Sequence, residues 1–529
     1  MSSRTYQPLY VLSEDSERTR GRAAQESNVA AGKAVAEAVR TTLGPRGMDK
    51  MLVDSTGTVV VTNDGATILD EMDIDHPAAQ MIVEVAESQE ESVGDGTTTA
   101  AVLLGELLSR AEGMLEDDLH PTVIVEGYAE AARLAGEAID GQLLDVEVGS
   151  DPAADLLASV AESSMTGKGT GDAAATDLAA LVVEAIDRVT TDDGHVDRDA
   201  VHVHPRTGAG SSATELVDGV VIEEEPVHDG MPHEVENASV AVLETKLEVR
   251  QGDVDAEYSI TSVDGLNAAI EAEDAELRGY ADALSEAGVD VLFCRKKIDD
   301  RVAGYLADAG ILAFESVKSS AADDVARVTG AKRLGTLEDV EASELGHAES
   351  IATEPDGGDD DDDLVFVRGG DASRAVTLLV RGSTEHVVDE LERAVNDAVD
   401  AVVAARDAGI VPGAGATEVA VAAHLRGAAA SVEGRKQLAI EAFADAVDAL
   451  PRTLAENAGA DPIDTLVDLR ATHDREGRAG VIADGRTARV GDPLENGIVD
   501  PAAVKREAVD SATEAARMIL RIDDVISAE

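Results

Sequence analysis

Aromatic and basic side chains are both scarce in this 529-residue chain. It has no tryptophan, six tyrosines and four phenylalanines, and its 43 lysines and arginines stand against 107 aspartates and glutamates. The formal net charge is −64. Because proteins bind the nucleic-acid backbone through lysine and arginine, this composition argues against a nucleic-acid partner.

Cysteine occurs once, at Cys294, so the chain cannot form an internal disulfide. The flanking residues 289–294 predict a buried strand, in which a thiol is typically inert. The N-terminus lacks the apolar segment of a signal peptide. No apolar run approaches the roughly 20 residues that span a bilayer. We expect a cytoplasmic protein without a membrane partner.

The excess of acids would strain a compact fold in dilute buffer through self-repulsion. In molar salt the screening length falls to about 3 Å, and this repulsion largely disappears. Hydrophobic residues make up 44% of the chain and recur with helical spacing, so it can build cores and is not predicted to be disordered. The charge alone would suit a solubilised scaffold or a binder of basic proteins, but the whole composition favours a halophilic archaeon.

The run Gly94-Asp95-Gly96-Thr97-Thr98-Thr99 precedes apolar residues spaced along one helical face. It therefore lies at the first turn of a predicted helix, where free backbone N–H groups and the helix dipole favour an anion. Glycine allows close approach of a ligand, and the threonine hydroxyls can donate to phosphate oxygens. Asp95 is suited to hold a Mg²⁺ that arrives with a nucleotide. A capped helix start without a ligand is the alternative, because Asp and Thr cap helices routinely.

Other motifs surround this loop in a characteristic order. They are Leu43-Gly44-Pro45, two short predicted strands at 51–53 and 58–62, the turn Asn63-Asp64-Gly65, the loop Val411-Pro412-Gly413-Ala414-Gly415-Ala416-Thr417-Glu418, and Gly497-Ile498-Val499-Asp500-Pro501 with Lys505. Together they cover nearly all of the chain and resemble the chaperonins. The sequences of these motifs are most similar to those of group II chaperonins, which comprise the archaeal thermosome and the eukaryotic cytosolic type.

The resemblance implies an α+β multidomain fold. A mostly helical equatorial domain would combine 1–150 and 408–529, and a small intermediate hinge domain would combine 151–217 and 371–407. An α/β apical domain would occupy 218–370, consistent with short β-rich or apolar segments at 216–222, 238–244, 290–294 and 311–314. Within it, 248–273 resembles the helical protrusion that serves group II chaperonins as a built-in lid.

The function implied by the resemblance is that of an ATP-dependent molecular chaperone. Its subunits would form a double ring with copies of themselves or with paralogues, bind unfolded polypeptides and enclose them without a separate lid protein. ATP and Mg²⁺ are the implied cofactors, and K⁺ is a further candidate. A kinase-like soluble ATPase and an acidic scaffold that binds nucleotide only structurally are the alternatives, but no motif for an acceptor substrate is present.

Two carboxylates match catalytic residues of the family. Asp397 would activate the attacking water, although it falls off the apolar stripe of its helix, so periodicity alone predicts a solvent-exposed acid. Asp64 would lie close to the γ-phosphate, and the tight turn in which it lies would hold its carboxylate rigidly. Lys168, one of few lysines, resembles the family's lysine near the terminal phosphate and is a candidate sensor of nucleotide state.

The remaining predicted contacts to nucleotide come from the flanking loops. Asp500 fits a ribose acceptor, or simply the start of the helix beside Pro501. Ala414 stands where the family has the middle of three glycines, and alanine does not readily adopt a positive φ. The acidic run 359–363 is most simply a solvated loop. The predicted nucleotide-binding set is Leu43, Gly44, Pro45, Asn63, Gly96, Thr97, Thr98, Thr99, Lys168, Gly413, Gly415 and Asp500.

Overall fold

The structure is a computed structural model that describes residues 17–53, 57, 59–145, 151–169, 173–191, 194–249, 263–337, 340–354, 363–370, 375–485 and 487–527. Half of the predicted lid segment, 250–262, and nearly all of the acidic run at 359–363 lie outside these residues. Two compact units are present, one formed by Met1–Gly169 with Arg393–Glu529 and the other by Thr170–Glu392. Their bounds cut through both predicted parts of the intermediate domain, so the three-domain division stays a prediction.

Helices dominate both ends of the chain. Among the described residues, none of them is both long and apolar enough to cross a membrane. In chain order the helices are α1 (Arg22–Arg40), α2 (Gly65–Asp70), α3 (Pro77–Val93), α4 (Thr97–Glu116), α5 (Pro121–Asp140), α6 (Asp151–Met165), α7 (Ala175–Val189), α8 (Val263–Ala287), α9 (Asp300–Asp308), α10 (Ser319–Thr329), α11 (Glu385–Ala408), α12 (Ala416–Ala429), α13 (Lys436–Val447), α14 (Ala449–Asn457), α15 (Pro462–Glu476) and α16 (Ala502–Leu520).

Strands concentrate in the middle of the chain, which together with the helices confirms the α+β class. They are β1 (Glu17–Arg20), β2 (Lys50–Val53), β3 (Val59–Thr62), β4 (Val201–Thr207), β5 (Glu215–Asp218), β6 (Val220–Glu223), β7 (Glu234–Leu243), β8 (Val291–Cys294), β9 (Leu312–Phe314), β10 (Arg333–Leu334), β11 (Gly346–Glu354), β12 (Leu364–Gly370), β13 (Val376–Gly382), β14 (Ile410–Pro412), β15 (Gly480–Asp484), β16 (Thr487–Gly491), β17 (Val499–Pro501) and β18 (Asp524–Ser527).

The unit that joins the two chain ends is built around α4, whose apolar residues are almost all buried. Helices α1, α3, α5, α13 and α16 pack around it. Small residues set the closest approach: a side chain on Gly105 would collide with Ala36 of α1. The rare aromatics are used here, since Tyr128 and Phe443 meet edge to face with ring centroids 5.6 Å apart. Because α4 begins at the Gly94–Thr99 loop, this core fixes the position of the loop.

The second unit contains a seven-stranded sheet in the order β6-β12-β11-β7-β8-β9, with β10 paired to β7. Strands β7, β8 and β9 run parallel, which requires crossover connections, and α8 and α9 lie in those connections. Phe293 and Phe314 stack with centroids 5.0 Å apart. Cys294 is buried in β8 as predicted, and burial raises the pKa of its thiol to about 11, so the thiol is inert.

A separate three-stranded sheet, β4-β13-β5, completes this unit. The predicted β-rich segment 216–222 is divided between the two strands β5 and β6. Gly219 has φ +101°, and a side chain there would overlap the carbonyl of Val367. The chain therefore leaves β5 in the small sheet and enters β6 in the large one at a position that only glycine can occupy.

Candidate functional site

A cleft of about 380 Å³ opens in the first unit, at the start of α4. It brings together residues that are far apart in the sequence. Asp397 and Gly413 are not part of its lining. Every other predicted site residue lines it: Leu43, Gly44, Pro45, Asn63, Asp64, Asp95, Gly96, Thr97, Thr98, Thr99, Lys168, Gly415 and Asp500.

The loop before α4 has the backbone of a helix-terminal anion site. Helix α3 ends at Gly94 with φ 64°, and Gly96 precedes α4 with φ 83°, so both glycines are in the left-handed region that other residues avoid. A side chain on Gly96 would come within 2.7 Å of Val504. The amide of Gln89, which is fully buried, donates to the carbonyl of Asp95 at 2.8 Å. The loop is therefore fixed from two sides, with the first turn of α4 facing the cleft.

Asp64 caps helix α2 and faces this turn. Its Oδ2 accepts a hydrogen bond from the Thr67 amide at 2.7 Å, while Thr97 Oγ1 donates to its Oδ1 at 3.4 Å. The neighbouring Asn63 donates from Nδ2 to the carbonyl of Gly167 at 2.6 Å. The turn thus holds the Asp64 carboxylate against the start of α4. Through Asn63, the turn is also bonded to the residue next to Lys168.

Lys168 forms an ion pair with Asp397 of α11. Asp397 is only 7% exposed, so the prediction from periodicity alone, a solvent-exposed acid, is wrong. Burial raises the pKa of Asp397 to about 6, and Lys168 opposes the rise. Burial alone would lower the pKa of Lys168, but Asp397 and Asp95 outweigh it and the pKa rises. At neutral pH both partners are charged, and Asp397 is a carboxylate able to accept a proton.

Glu90 is a further acid near this pair that sequence reasoning missed. Burial, followed by the charges of Asp397 and Asp64, raises its pKa to about 8. Glu90 therefore carries a proton at neutral pH, which limits the negative charge gathered beside the start of α4. One turn of α3 separates it from Gly94, and among so many acids nothing in the sequence distinguishes it.

The cleft carries a second charged group. Lys505 Nζ lies 2.8 Å from Asp500 Oδ2 and 2.7 Å from Glu418 Oε1. Gly413 is close behind: a side chain there would come within 3.1 Å of Asp500 Oδ2. Lys505 and Glu418 belong to motifs visible in the sequence, but their pairing joins α12 to α16 and could not be predicted from either motif.

Ala414 adopts the glycine-like conformation, with φ 57°. Its carbonyl accepts a hydrogen bond from Val481 at 2.8 Å, and a side chain on Gly480 would come within 3.0 Å of its Cβ. The chain thus keeps the backbone of a glycine-rich loop despite the alanine, at a modest cost in strain. The apolar wall beside it is a set that no local motif reveals: Leu450, Leu454, Val481 and Ile498.

Asp95 is suited to a metal ion carried by a nucleotide. Its Oδ1 accepts a hydrogen bond from the Gly96 amide at 2.6 Å, and burial raises its pKa against the opposing charge of Lys168. Within the described part of the chain, no group of three or more His, Cys, Asp or Glu residues is arranged to hold a metal.

A helix start that faces carboxylates and a buried lysine is typical of proteins that hydrolyse nucleotides. The sequence model of the TCP-1/cpn60 chaperonin family matches residues 35–529, and the chain belongs to this family. It is 67% identical to thermosome subunit 3 of Haloferax volcanii, with all of both chains covered. It is 51% identical to thermosome subunit alpha of Halobacterium salinarum and 50% identical to thermosome subunit 1 of Haloferax volcanii, each over 99% of this chain and 92% of the relative.

These relatives confirm the predicted function in outline. The chain is a group II chaperonin subunit of the halophilic archaeal type, an ATPase whose hydrolysis of ATP drives protein folding. The occurrence of several thermosome subunits in one organism indicates assembly with other subunits.

Proposed function

We propose that the cleft binds ATP with its phosphates at the start of α4 and its ribose at Asp500. The observation that carries this proposal is the convergence of the Gly94–Thr99 loop, Asp64, Lys168 and Asp500 on one cleft. The unpaired N–H groups of the first turn and the threonine hydroxyls meet the phosphates. The apolar wall beside Ala414 then receives the base.

Hydrolysis depends on the acids at the phosphate end. Asp397 accepts the proton of the attacking water, because it is ionised near neutral pH and is held in place by Lys168. Asp64 helps to orient the same water from the turn opposite. Asp95 would hold Mg²⁺, which supplies charge neutralisation to the phosphates when bound, and K⁺ remains a further candidate.

Lys168 is suited to sense which nucleotide is bound. Its ion pair with Asp397 links the loop that follows α6 to helix α11. A γ-phosphate between them would compete for the lysine, because phosphate and carboxylate are both anions. Loss of the phosphate would restore the pair, so the position of α11 would depend on hydrolysis.

The unit Thr170–Glu392 is the part proposed to meet client proteins. We assign the built-in lid to 248–273, with no separate lid protein, and assign the clients to unfolded or partly folded chains. In molar salt, apolar association is strengthened, so patches of small apolar residues can hold such clients.

Assembly is supported by an exposed β-ribbon in the first unit. Strands β2 and β3 pair with each other, and Met51, Val53, Val59 and Val61 are 69%, 62%, 38% and 45% exposed. An exposed apolar ribbon with free edges is unusual on a monomer. We assign it to contacts with further subunits, its own copies or paralogues, in a double ring located in the cytoplasm.

Phosphate release by the purified protein in molar salt tests the proposal. We expect Mg²⁺-dependent release without any added acceptor substrate, from a particle of many subunits. Release that required a small-molecule acceptor would favour the kinase-like alternative. Nucleotide binding without release would favour the scaffold.

A further inference from the structure

Gln89 is the polar member of an otherwise apolar buried stripe on α3. It is fully buried and is not part of the cleft lining, so a ligand in the cleft does not touch it. Its Nε2 donates to the Asp95 carbonyl at 2.8 Å and to the Val504 carbonyl at 3.3 Å. One side-chain atom therefore joins α3, the loop before α4 and the first turn of α16.

The Gln89 amide is used for its two donors. Its Oε1 is buried without a hydrogen-bond partner among the residues that the structure describes. An apolar side chain would avoid the cost of this unpaired acceptor. Two backbone carbonyls face the side chain, however, and an amide nitrogen is a neutral group with two protons to donate. A methionine would fill the same space and leave both carbonyls without this donor.

The shorter of the two bonds acts on the peptide group between Asp95 and Gly96. Ala100 donates to the Gly96 carbonyl at 2.9 Å as the first bond of α4, so the Asp95 carbonyl lies outside the helix and takes its donor from Gln89. A trans peptide is planar, and its C=O and N–H point in opposite directions. On the other side of this plane, the Gly96 N–H donates to Asp95 Oδ1 at 2.6 Å. Gln89 therefore sets the plane of the peptide that holds the Asp95 carboxylate.

A structural tie between α3 and α16 explains this arrangement less well. Such a tie would need only the bond to Val504, which is the longer of the two. The amide also packs directly on the loop, since a side chain on Gly96 would come within 3.0 Å of Gln89 Nε2. The closest polar contact of Gln89 is thus with the residue that carries the carboxylate.

We infer that Gln89 is a positioning residue that fixes the direction of the Asp95 carboxylate through the peptide group between Asp95 and Gly96. The inference rests on the proposed function, in which Asp95 holds the Mg²⁺ of the nucleotide. A group that orients a metal ligand without touching the metal typically contributes about 10- to 100-fold to metal affinity. Loss of the Gln89 donor should therefore weaken the response to Mg²⁺ although the ligand itself is intact.

The dependence of ADP affinity on Mg²⁺ tests this inference without relying on turnover. We would titrate the assembled protein with ADP in molar salt, once with Mg²⁺ and once with EDTA, and take the ratio of the two dissociation constants. Gln89→Met removes both donors at similar length. Gln89→Asn, which withdraws the amide by one methylene, serves if thermal unfolding shows that Gln89→Met does not fold. Tyr128→Phe is the matched control, because it removes another fully buried donor to a backbone carbonyl, that of Leu107 in α4 at 2.8 Å.

Gln89→Met should lose about 10-fold or more of the gain in ADP affinity that Mg²⁺ provides. Affinity in EDTA should change little, because the start of α4 is held by the packing of the helix itself. Tyr128→Phe should keep the gain of the wild type. In an Asp95→Ala background, which lacks the ligand, Gln89→Met should change the gain no further.

An undiminished Mg²⁺-dependent gain in Gln89→Met, or equal losses of affinity with Mg²⁺ and with EDTA, would overturn the inference. A further loss of the gain in the Asp95→Ala background would do the same. Failure of the proposed metal role looks different: Asp95→Ala alone would then respond to Mg²⁺ as the wild type does.

Discussion

Asp397→Asn is the substitution that most directly tests the assignment of the base. The side chain keeps its size and loses its charge, so the buried site at 7% exposure should repack little. Lys168 loses its partner, but Asp95 and Asp64 also contribute to the raised pKa of its ammonium, which should stay charged. Removing a general base typically costs about 10²–10⁴-fold in rate, and we expect kcat to fall by that factor. Binding should change little, because the phosphates are contacted from α4.

Single-turnover phosphate release and binding of a fluorescent nucleotide would be measured side by side in molar salt. Asp407→Asn is a matched control, since Asp407 is an exposed acid on the same helix. It should behave as the wild type does. Turnover of Asp397→Asn within a few-fold of the control would refute the role given to Asp397.

Three further predictions concern the metal, the pH profile and the lid. Asp95→Ala should weaken binding of Mg-ATP as well as turnover; normal Mg-ATP affinity in a titration would exclude the metal role. Because Asp397 has a pKa of about 6 in the free protein and must be ionised to act, kcat/KM should fall as the pH drops through that value. Lys168→Met removes the cation that holds this pKa down, so the acid limb should move to higher pH, and a limb that moved to lower pH would contradict the account. Replacing 248–273 by a short Gly/Ser linker should preserve ATP hydrolysis but abolish protease protection of a trapped client; undiminished protection would show that this segment is not the lid.

Local chemistry made the Gly94–Thr99 loop predictable from the sequence. Glycine before a run of threonines, followed by helical periodicity, specifies a helix start almost by itself, and α4 begins at Thr97. Asp64 was likewise predictable as a turn residue, because Asx chemistry acts within three positions along the chain.

The ion pairs in and beside the cleft depend on contacts between residues far apart in the chain. Asp397 is buried because Lys168, 229 residues earlier, is its partner. The pairing of Lys505 with Glu418 and the raised pKa of Glu90 arise in the same way, from groups brought together only by the fold. Periodicity describes which face of a helix meets the core, and it does not say which polar residue on that face finds a partner.

An electron cryo-microscopy map of the purified particle in molar salt, with Mg²⁺, ADP and a γ-phosphate mimic, tests the central claim most directly. The account predicts density for the phosphates at Gly96–Thr98, the metal at Asp95, the ribose at Asp500, and the mimic within reach of Asp397. Nucleotide density elsewhere in the subunit, or a ribose turned away from Asp500, would contradict it.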